Sequence, residues 1–342
     1  MKMAVTIKDV AKVARVSPST VSRVIADNPR ISEETKKRVR EAMIELGYHP
    51  NFQARSLAVK STQSIGIIMP NSATKVLENP FFPEVLRGIS QVAREDRYGI
   101  YLSTGATQEE IFEEVVQMVQ GRRVDGIILL YSKTNDTVMN YLLEEDFPFT
   151  VIGRPYNNAE RITHVDNDNI YATKQVTKYL IDKGHKRITF IGLNPEVVLT
   201  IDRMEGYKQA LKEAGIPFNE QLVVQESSLK EGGVEVAKEF LLANEPPTAL
   251  VVTDDFVAIE LMSYAESLNI RVPEDISIIS FNNIMLTNHM RPPLTSVDID
   301  IFQLGLEAAS CLIEKIKNPT ILPKRLTIPA TMIERKSCAS LK

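Results

Sequence analysis

From Ser64 onward the chain alternates short apolar runs with longer amphipathic ones, and this alternation admits few folds. The short runs are SIGIIMP (64–70), GIYLST (99–104), DGIILL (125–130), FTVIG (149–153), RITFIG (187–192), ALVVTDD (249–255) and SIISFNN (277–283). They are rich in Ile and Val, which suit strands. Between most of them lie helical patterns: Glu84–Arg97, Glu109–Gln120, Ile170–Lys183, Arg203–Glu213, Glu231–Leu242 and Phe256–Ser267. Strands that alternate with helices are parallel and covered on both faces. The spacing implies roughly a dozen strands, too many for one small sheet, so the expectation is two Rossmann-like subdomains. A length of 342 residues holds these and a small further domain.

In open parallel sheets a ligand sits beyond the carboxyl ends of the strands, which makes the residues there candidates for a binding site. After the first strand come Asn79-Pro80-Phe81-Phe82, an aromatic lip. Arg154 follows the fourth. Arg203 is expected to open the helix after VLTIDR. Asp254 and Asp255 end one strand, and Asn282 and Asn283 end another. Carboxylates, amides and guanidinium groups give planar paired hydrogen bonds, and aromatic rings stack on sugar faces. The candidate effector-binding set is therefore Phe81, Phe82, Arg154, Arg203, Asp254 and Asn282. Asp255, Asn283 and Phe82 fit caps and core positions as well.

The first 63 residues differ in charge from the rest. The whole chain is at -4, yet residues 1–63 carry twelve Lys/Arg against six Asp/Glu. A basic block on an acidic body suits a headpiece that meets phosphate, although charge alone fits a solvated face equally. Three helices are signalled here. Ile7, Val10, Ala11 and Ala14 recur at helical spacing, and Arg15-Val16-Ser17 breaks the run. Ser17 is placed to cap a second helix, Pro18 takes its first position, and Val16 can staple onto Val21. Val21, Val24 and Ile25 then point inward and leave Pro18, Ser19, Thr20, Ser22 and Arg23 outward. A short helix with a small, polar and cationic outer face fits the major groove of DNA. Ser32 caps a third helix, with Val39, Met43 and Leu46 on its buried side and Gly47 at its end.

The run TIKDVAKVARVSPSTVSRVI, with D-V-A in helix one, V-S-x-x-T-V-S-R-V in helix two and G-Y-x-P-N after helix three, resembles the headpiece of the LacI/GalR family of bacterial repressors. The resemblance implies that Pro18, Ser19 and Arg23 read bases of operator DNA while Ser17, Thr20 and Ser22 touch its backbone. It also implies a hinge helix over Pro50–Ala58, capped by Asn51 and contacting DNA through Asn51, Ala54 and Leu57. Leu57 is wedged between base steps at a cost of roughly a few kcal/mol, repaid by contact. Such a pair of hinges requires a homodimer on a near-palindromic, double-stranded operator.

For the body, the family implies a layout similar to periplasmic sugar-binding proteins, with three crossings between subdomains near His164, Pro292 and Arg325. The expected divisions are a DNA-binding domain at 1–50, a hinge and linker at 51–63, and an effector and dimerisation domain at 64–342. Within the last, one subdomain takes about 64–164 and 293–325 and the other about 165–292 and 326–342. In relatives the positions of Arg203, Asp254 and Asn282 hold the effector, and many carry Asp where this chain has Asn282. The segment NPFFPEVLRGI and the headpiece are most similar to maltose-responsive members, which implies a small sugar effector, maltose or a maltodextrin. The alternative within the family is a global carbon catabolite control regulator with a phosphorylated protein corepressor.

Other classes are disfavoured. Cys311 and Cys338 stand outside any CxxC and, with four histidines, offer no metal-ligand spacing. The expectation is no metal and no cofactor. MKMAVTIKDVAKVA has no apolar h-region, and no run reaches the roughly 18 apolar residues of a membrane span, so a cytoplasmic protein is expected. No GxSxG, P-loop or HExxH occurs, and the adjacent Asp254 and Asp255 are poorly placed to flank a glycosidic bond. The chain is expected not to be an enzyme. The short stretch after RLTIPATMIER leaves no room for a heptad tail, which favours a dimer over a tetramer.

Overall fold

The computed structural model describes residues 5–25, 28–48, 61–70, 76–192 and 194–341. The headpiece holds α1 (Ile7–Ala14), α2 (Pro18–Ile25) and α3 (Glu33–Leu46). Asp9 closes a capping box on α1 by accepting from the Thr6 amide at 2.8 Å. Arg15, left-handed at φ 52°, ends that helix at the expected break. Ser32 Oγ caps α3 by accepting from Thr35 N at 3.3 Å, and Gly47 at φ 62° closes it. Val10, Ala11, Ala14, Val21, Val24, Val39 and Ala42 form the small core. Ala42 takes the buried place beside Val39, while Met43, Leu46 and Ile25 pack only partly buried against the cluster.

The body contains two six-stranded sheets. The first joins β1 (Ser64–Ile68), β2 (Gly99–Leu102), β3 (Gly126–Leu129), β4 (Phe149–Ile152), β5 (His164–Asp166) and β11 (Arg325–Thr327) in the order β11-β5-β4-β3-β1-β2. All its pairings are parallel. The second joins β6 (Ile188–Gly192), β7 (Val223–Gln225), β8 (Ala249–Val252), β9 (Ser277–Phe281), β10 (Thr295–Asp298) and β12 (Thr331–Ile333) in the order β12-β10-β9-β8-β6-β7. Only β10 and β12 run antiparallel there. The first sheet is covered by α4 (Phe81–Glu95), α5 (Gln108–Gln120), α6 (Thr137–Glu144) and α11 (Ile301–Lys317). The second is covered by α7 (Asn169–Asp182), α8 (Val198–Glu213), α9 (Glu226–Leu241) and α10 (Asp255–Ser267). The strands β3, β4, β6, β8 and β9 are buried along their whole length, as expected for parallel strands sandwiched between helices. α4 and α11 approach so closely that a Cβ added at Gly305 would lie 2.2 Å from Val85 O, which explains glycine in the middle of that helix.

Three details depart from the sequence reading. The chain passes between sheets at 167–168, 299–300 and 328–330. The second crossing therefore lies beyond Pro292, because Thr295–Asp298 is β10 and pairs with β9 in the second subdomain. The crossings expected near His164 and Arg325 lie within a few residues of those observed, and only the second boundary, expected at about 292/293, moves appreciably. β10 has a single large apolar residue, Val297, and gives no period to read. Arg203 does not open its helix: α8 starts at Val198, after a turn in which Val197 N donates to Asn194 O at 3.0 Å. The strands β5, β7 and β10 and the helices α6 and α11 were not singled out from the sequence.

A single side chain ties the crossings together. Asn167, 6% exposed and on the first crossing, donates through Nδ2 to Ile299 O at 3.0 Å and to Ile328 O at 2.9 Å, on the second and third. Asn167→Leu keeps the bulk and removes both donations, leaving two buried carbonyls unpaired. The expected loss is about 1–3 kcal/mol per group left unsatisfied, read as a lower urea midpoint of the body. An unchanged midpoint contradicts this role.

Candidate functional site: an exposed headpiece helix and an inter-subdomain cleft

α2 presents a polar outer face. Ser17 Oγ accepts from Thr20 N at 3.1 Å and lies 2.8 Å from Ser19 Oγ and 2.9 Å from Thr20 Oγ1. Its hydroxyl cluster therefore sits at the positive end of the helix dipole, where a phosphate is favoured. Ser17, Pro18, Ser19, Ser22 and Arg23 are exposed and Thr20 is half-buried, with Val21 and Val24 turned inward. Pro18 offers no donor, so any base contact it makes is apolar. On α3 Lys37 and Arg38 are exposed, while Lys36 is buried and paired with Glu33 at 2.8 Å. Asn51, Ala54 and Leu57 lie outside the described residues.

In the body, the carboxyl ends of the strands of both sheets meet. Asp254 follows β8 and caps α10, accepting from Phe256 N at 2.7 Å. Its Oδ2 also accepts from Asn282 Nδ2 and, from the opposite subdomain, Asn79 Nδ2, each at 3.0 Å. Asn79 Oδ1 in turn accepts from Phe81 N at 3.0 Å, at the start of α4. Phe81 and Phe82 are half-buried, edge to face at 5.1 Å, and packed on the core.

Arg203 is 1% exposed. Its Nε donates to Asn169 Oδ1 at 3.0 Å and its Nη1 to Thr253 O. Its guanidinium lies 3.9 Å above the centre of the Phe281 ring. Burial pulls its pKa down to about 10, against the opposing pull of Asp254, Asp166 and Asp255, so it stays charged at neutral pH. Burial also pushes the Asp254 carboxyl up, although Asn79 and the Phe256 amide hold it down. Arg154, after β4, is paired with Asp202 of α8 in a fork, Nε to Oδ2 at 3.0 Å and Nη2 to Oδ1 at 2.7 Å. A third contact across the cleft is main chain: Val198 N donates to Ser132 O and Thr134 N to Glu196 O, both at 3.0 Å.

The structure thus brings Arg203, Asp254 and Asn282 together at the ends of the second sheet's strands, with Phe81 and Phe82 linked to them through Asn79. Arg154 belongs to a separate pair. Asn79, Asn169 and Asp202 were not among the expected site residues; the position of Asn79 before Pro80 and that of Asp202 beside Arg203 were the available signals. Asp255 and Asn283 serve the scaffold: Asp255 accepts from Ser296 Oγ at 2.7 Å and Ile284 N at 2.9 Å, and Asn283 Nδ2 donates to Asp298 at 2.9 Å. A concavity of about 390 Å3 beside α7, lined by Tyr171, Gln175, Val297 and Met332 among others, shares none of the cleft residues. Among the described residues no His, Cys, Asp and Glu cluster is arranged to hold a metal, and no helix is long and apolar enough to cross a membrane.

A family profile described as "Bacterial regulatory proteins, lacI family" matches residues 6–51, and one described as "Periplasmic binding protein-like domain" matches residues 177–338. The HTH-type transcriptional regulator MalR of Streptococcus pneumoniae is 41% identical over 337 residues, 97% of this chain and 100% of that protein. The chain belongs to the LacI family. It is a DNA-binding transcription regulator and not an enzyme, with a helix-turn-helix headpiece and a two-sheet α/β body. A solved LacI-type transcriptional regulator from Bacillus cereus is 44% identical with a TM-score of 0.79, covering 82% of this chain and 99% of that one. A complex of the transcriptional regulator CelR with cellobiose is 30% identical with a TM-score of 0.75, covering 97% of this chain and 99% of that one.

Two outcomes are expected. Arg23→Ala weakens operator binding by about 1–3 kcal/mol and relaxes preference at one base pair if the side chain meets a base edge. Equal losses on specific and random duplexes, read by fluorescence anisotropy, assign it to phosphate instead. The second concerns Asp255, whose carboxyl burial pushes up to about 7 even though Ser280, Ser296 and the Ile284 amide donate to it. Its folded pKa lies above the unfolded value, so the stability it contributes is full at low pH and is lost as pH rises through about 7. The denaturation midpoint of Asp255→Asn therefore varies less between about pH 5 and about pH 8 than that of the wild type; an equal or steeper dependence contradicts this.

Proposed function

We propose that the chain is a homodimeric repressor of a maltose or maltodextrin utilisation operon, acting in the cytoplasm where its operator lies. The observation that carries this reading is the 41% identity to the pneumococcal regulator MalR over 97% of this chain. Ser17, Pro18, Ser19, Thr20, Ser22 and Arg23 are assigned to the operator from their place on the outer side of α2, joined by Asn51, Ala54 and Leu57 of the hinge. Phe81, Phe82, Arg203, Asp254 and Asn282, with Asn79, are assigned to the sugar. This set supplies what a polyol needs: a carboxylate acceptor, amides able to donate and accept, and aromatic rings for the apolar faces of the sugar. A hydroxyl pair on the sugar can take the place of the Asn79 amide on Asp254, so that the subdomains grip the ligand from both sides.

In the proposed cycle the dimer holds a near-palindromic operator, and sugar binding changes the closure of the cleft and with it the spacing of the headpieces. The sugar shifts this equilibrium only by its difference in affinity for the two states. The test is selection of bound duplexes from a random library with the full chain, followed by mobility-shift titration with maltose, maltotriose, other sugars and purines. The expected result is a near-palindromic site whose occupancy falls with maltose or maltotriose and with no other compound. Absence of any preferred duplex overturns the repressor assignment. Indifference to every sugar, together with tight binding only when a phosphorylated partner protein is added, replaces the maltose reading with catabolite control.

A further inference from the structure

The N-terminus of α8 is not capped from within its own subdomain. Val197 holds the capping position and has no side chain able to accept a hydrogen bond. The first free amide of the helix, Val198 N, is instead satisfied by Ser132 O of the other subdomain at 3.0 Å. The next residues of the chain at that junction extend the contact as a short antiparallel bridge between Lys133 and Val197. One turn further along α8, Asp202 receives the two-pronged donation from Arg154. The Asp202 side chain is 8% exposed and that of Arg154 40%. Two of the guanidinium's donors are committed to Asp202, and Nη1 reaches the Pro155 carbonyl at 3.4 Å. This arginine is therefore engaged by protein, unlike a side chain held ready for a hydroxyl.

We propose that Arg154 and Asp202, with the Ser132–Thr134 to Glu196–Val198 bridge, form a clasp that holds the two subdomains together without any effector and sets how tightly the effector binds. Both are positioning residues: they act on the sugar by fixing the closure of the cleft. Opening the cleft breaks the ion pair and uncaps α8 in one movement, so the two losses oppose opening together. A ligand that prefers the closed cleft then meets a body already biased towards closure and binds more tightly for it. An exposed ion pair contributes little, but a fork-shaped arginine–carboxylate pair with one largely buried partner lies at the stronger end.

The experiment uses the full-length dimer and four variants: Asp202→Asn, Arg154→Gln, the two combined, and the exchanged pair Arg154→Asp with Asp202→Arg. Small-angle X-ray scattering without sugar reads closure, and calorimetric titration with maltose reads affinity. The sugar arm rests on the maltose reading above, whereas the scattering arm does not, and a wild-type chain that ignores maltose identifies failure of that reading alone. Either single variant is expected to enlarge the sugar-free particle and to weaken maltose binding by roughly three- to tenfold. The double change Arg154→Gln with Asp202→Asn is expected to add nothing further, as for one shared interaction. The exchanged pair is expected to restore the wild-type particle size, which a merely structural loss at either position would not allow. An unchanged sugar-free particle in both single variants overturns the clasp. So does an affinity loss confined to Arg154→Gln, which makes that arginine an ordinary sugar contact.

Discussion

One buried amide determines how the body can move. Asn167 reaches from the first crossing to the carbonyls of the other two, at 3.0 and 2.9 Å. The crossings are thereby held side by side, and sliding of one subdomain past the other would strip two buried acceptors of their donor. Rotation about the tied strands would keep both bonds. The side chains that bridge the cleft, Asn79 to Asp254 and Arg154 to Asp202, come instead from the loops beyond the strand ends. Modest rotation there makes or breaks whole hydrogen bonds.

The second constraint is electrostatic. Arg203 is buried among Asp166, Asp254 and Asp255, yet its direct bonds go to neutral acceptors, Asn169 Oδ1 and Thr253 O. The arginine therefore opposes the upward push of burial on Asp254 and Asp166 without sequestering their oxygens. Asp254 is left to share its oxygens between a helix cap and two amides, one of them from the opposite subdomain. The same separation appears at Asp255, whose oxygens are all taken by the scaffold. Adjacent aspartates thus have different duties, one at the cleft and one beneath it.

Local signals in the sequence were reliable because they act locally. Ser17-Pro18, Ser32 and Gly47 mark helix ends through bonds that span only a few residues, and each stands where expected. Six of the seven short apolar runs became interior strands, as burial on both faces requires, whereas GIYLST became the edge strand β2, with residues 99–101 exposed. The second crossing was misplaced because β10, Thr-Ser-Val-Asp, pairs through its backbone with a strand far away in the chain and has little side-chain pattern of its own. The cleft was half legible. Arg203, Asp254 and Asn282 follow from the rule about strand ends, but which arginine meets which carboxylate is decided by contacts between residues far apart in sequence. Arg154 finds Asp202 at a separation of 48 residues, and Asn79 finds Asp254 at 175. No spacing rule reaches that far.

In the proposed cycle, cleft closure and operator affinity are one equilibrium, linked through the tied crossings. Linkage makes this directly measurable, because two ligands that share an equilibrium alter each other's affinity by the same factor. The decisive measurement is calorimetric titration of maltose into the dimer, free and saturated with its operator duplex, alongside operator binding with and without saturating maltose. If cleft and headpiece share the equilibrium, the factor by which the duplex weakens maltose binding, taken over both sites, equals the factor by which maltose weakens duplex binding. Identical maltose affinity in the free and duplex-bound dimer, while maltose still released the operator, would contradict it.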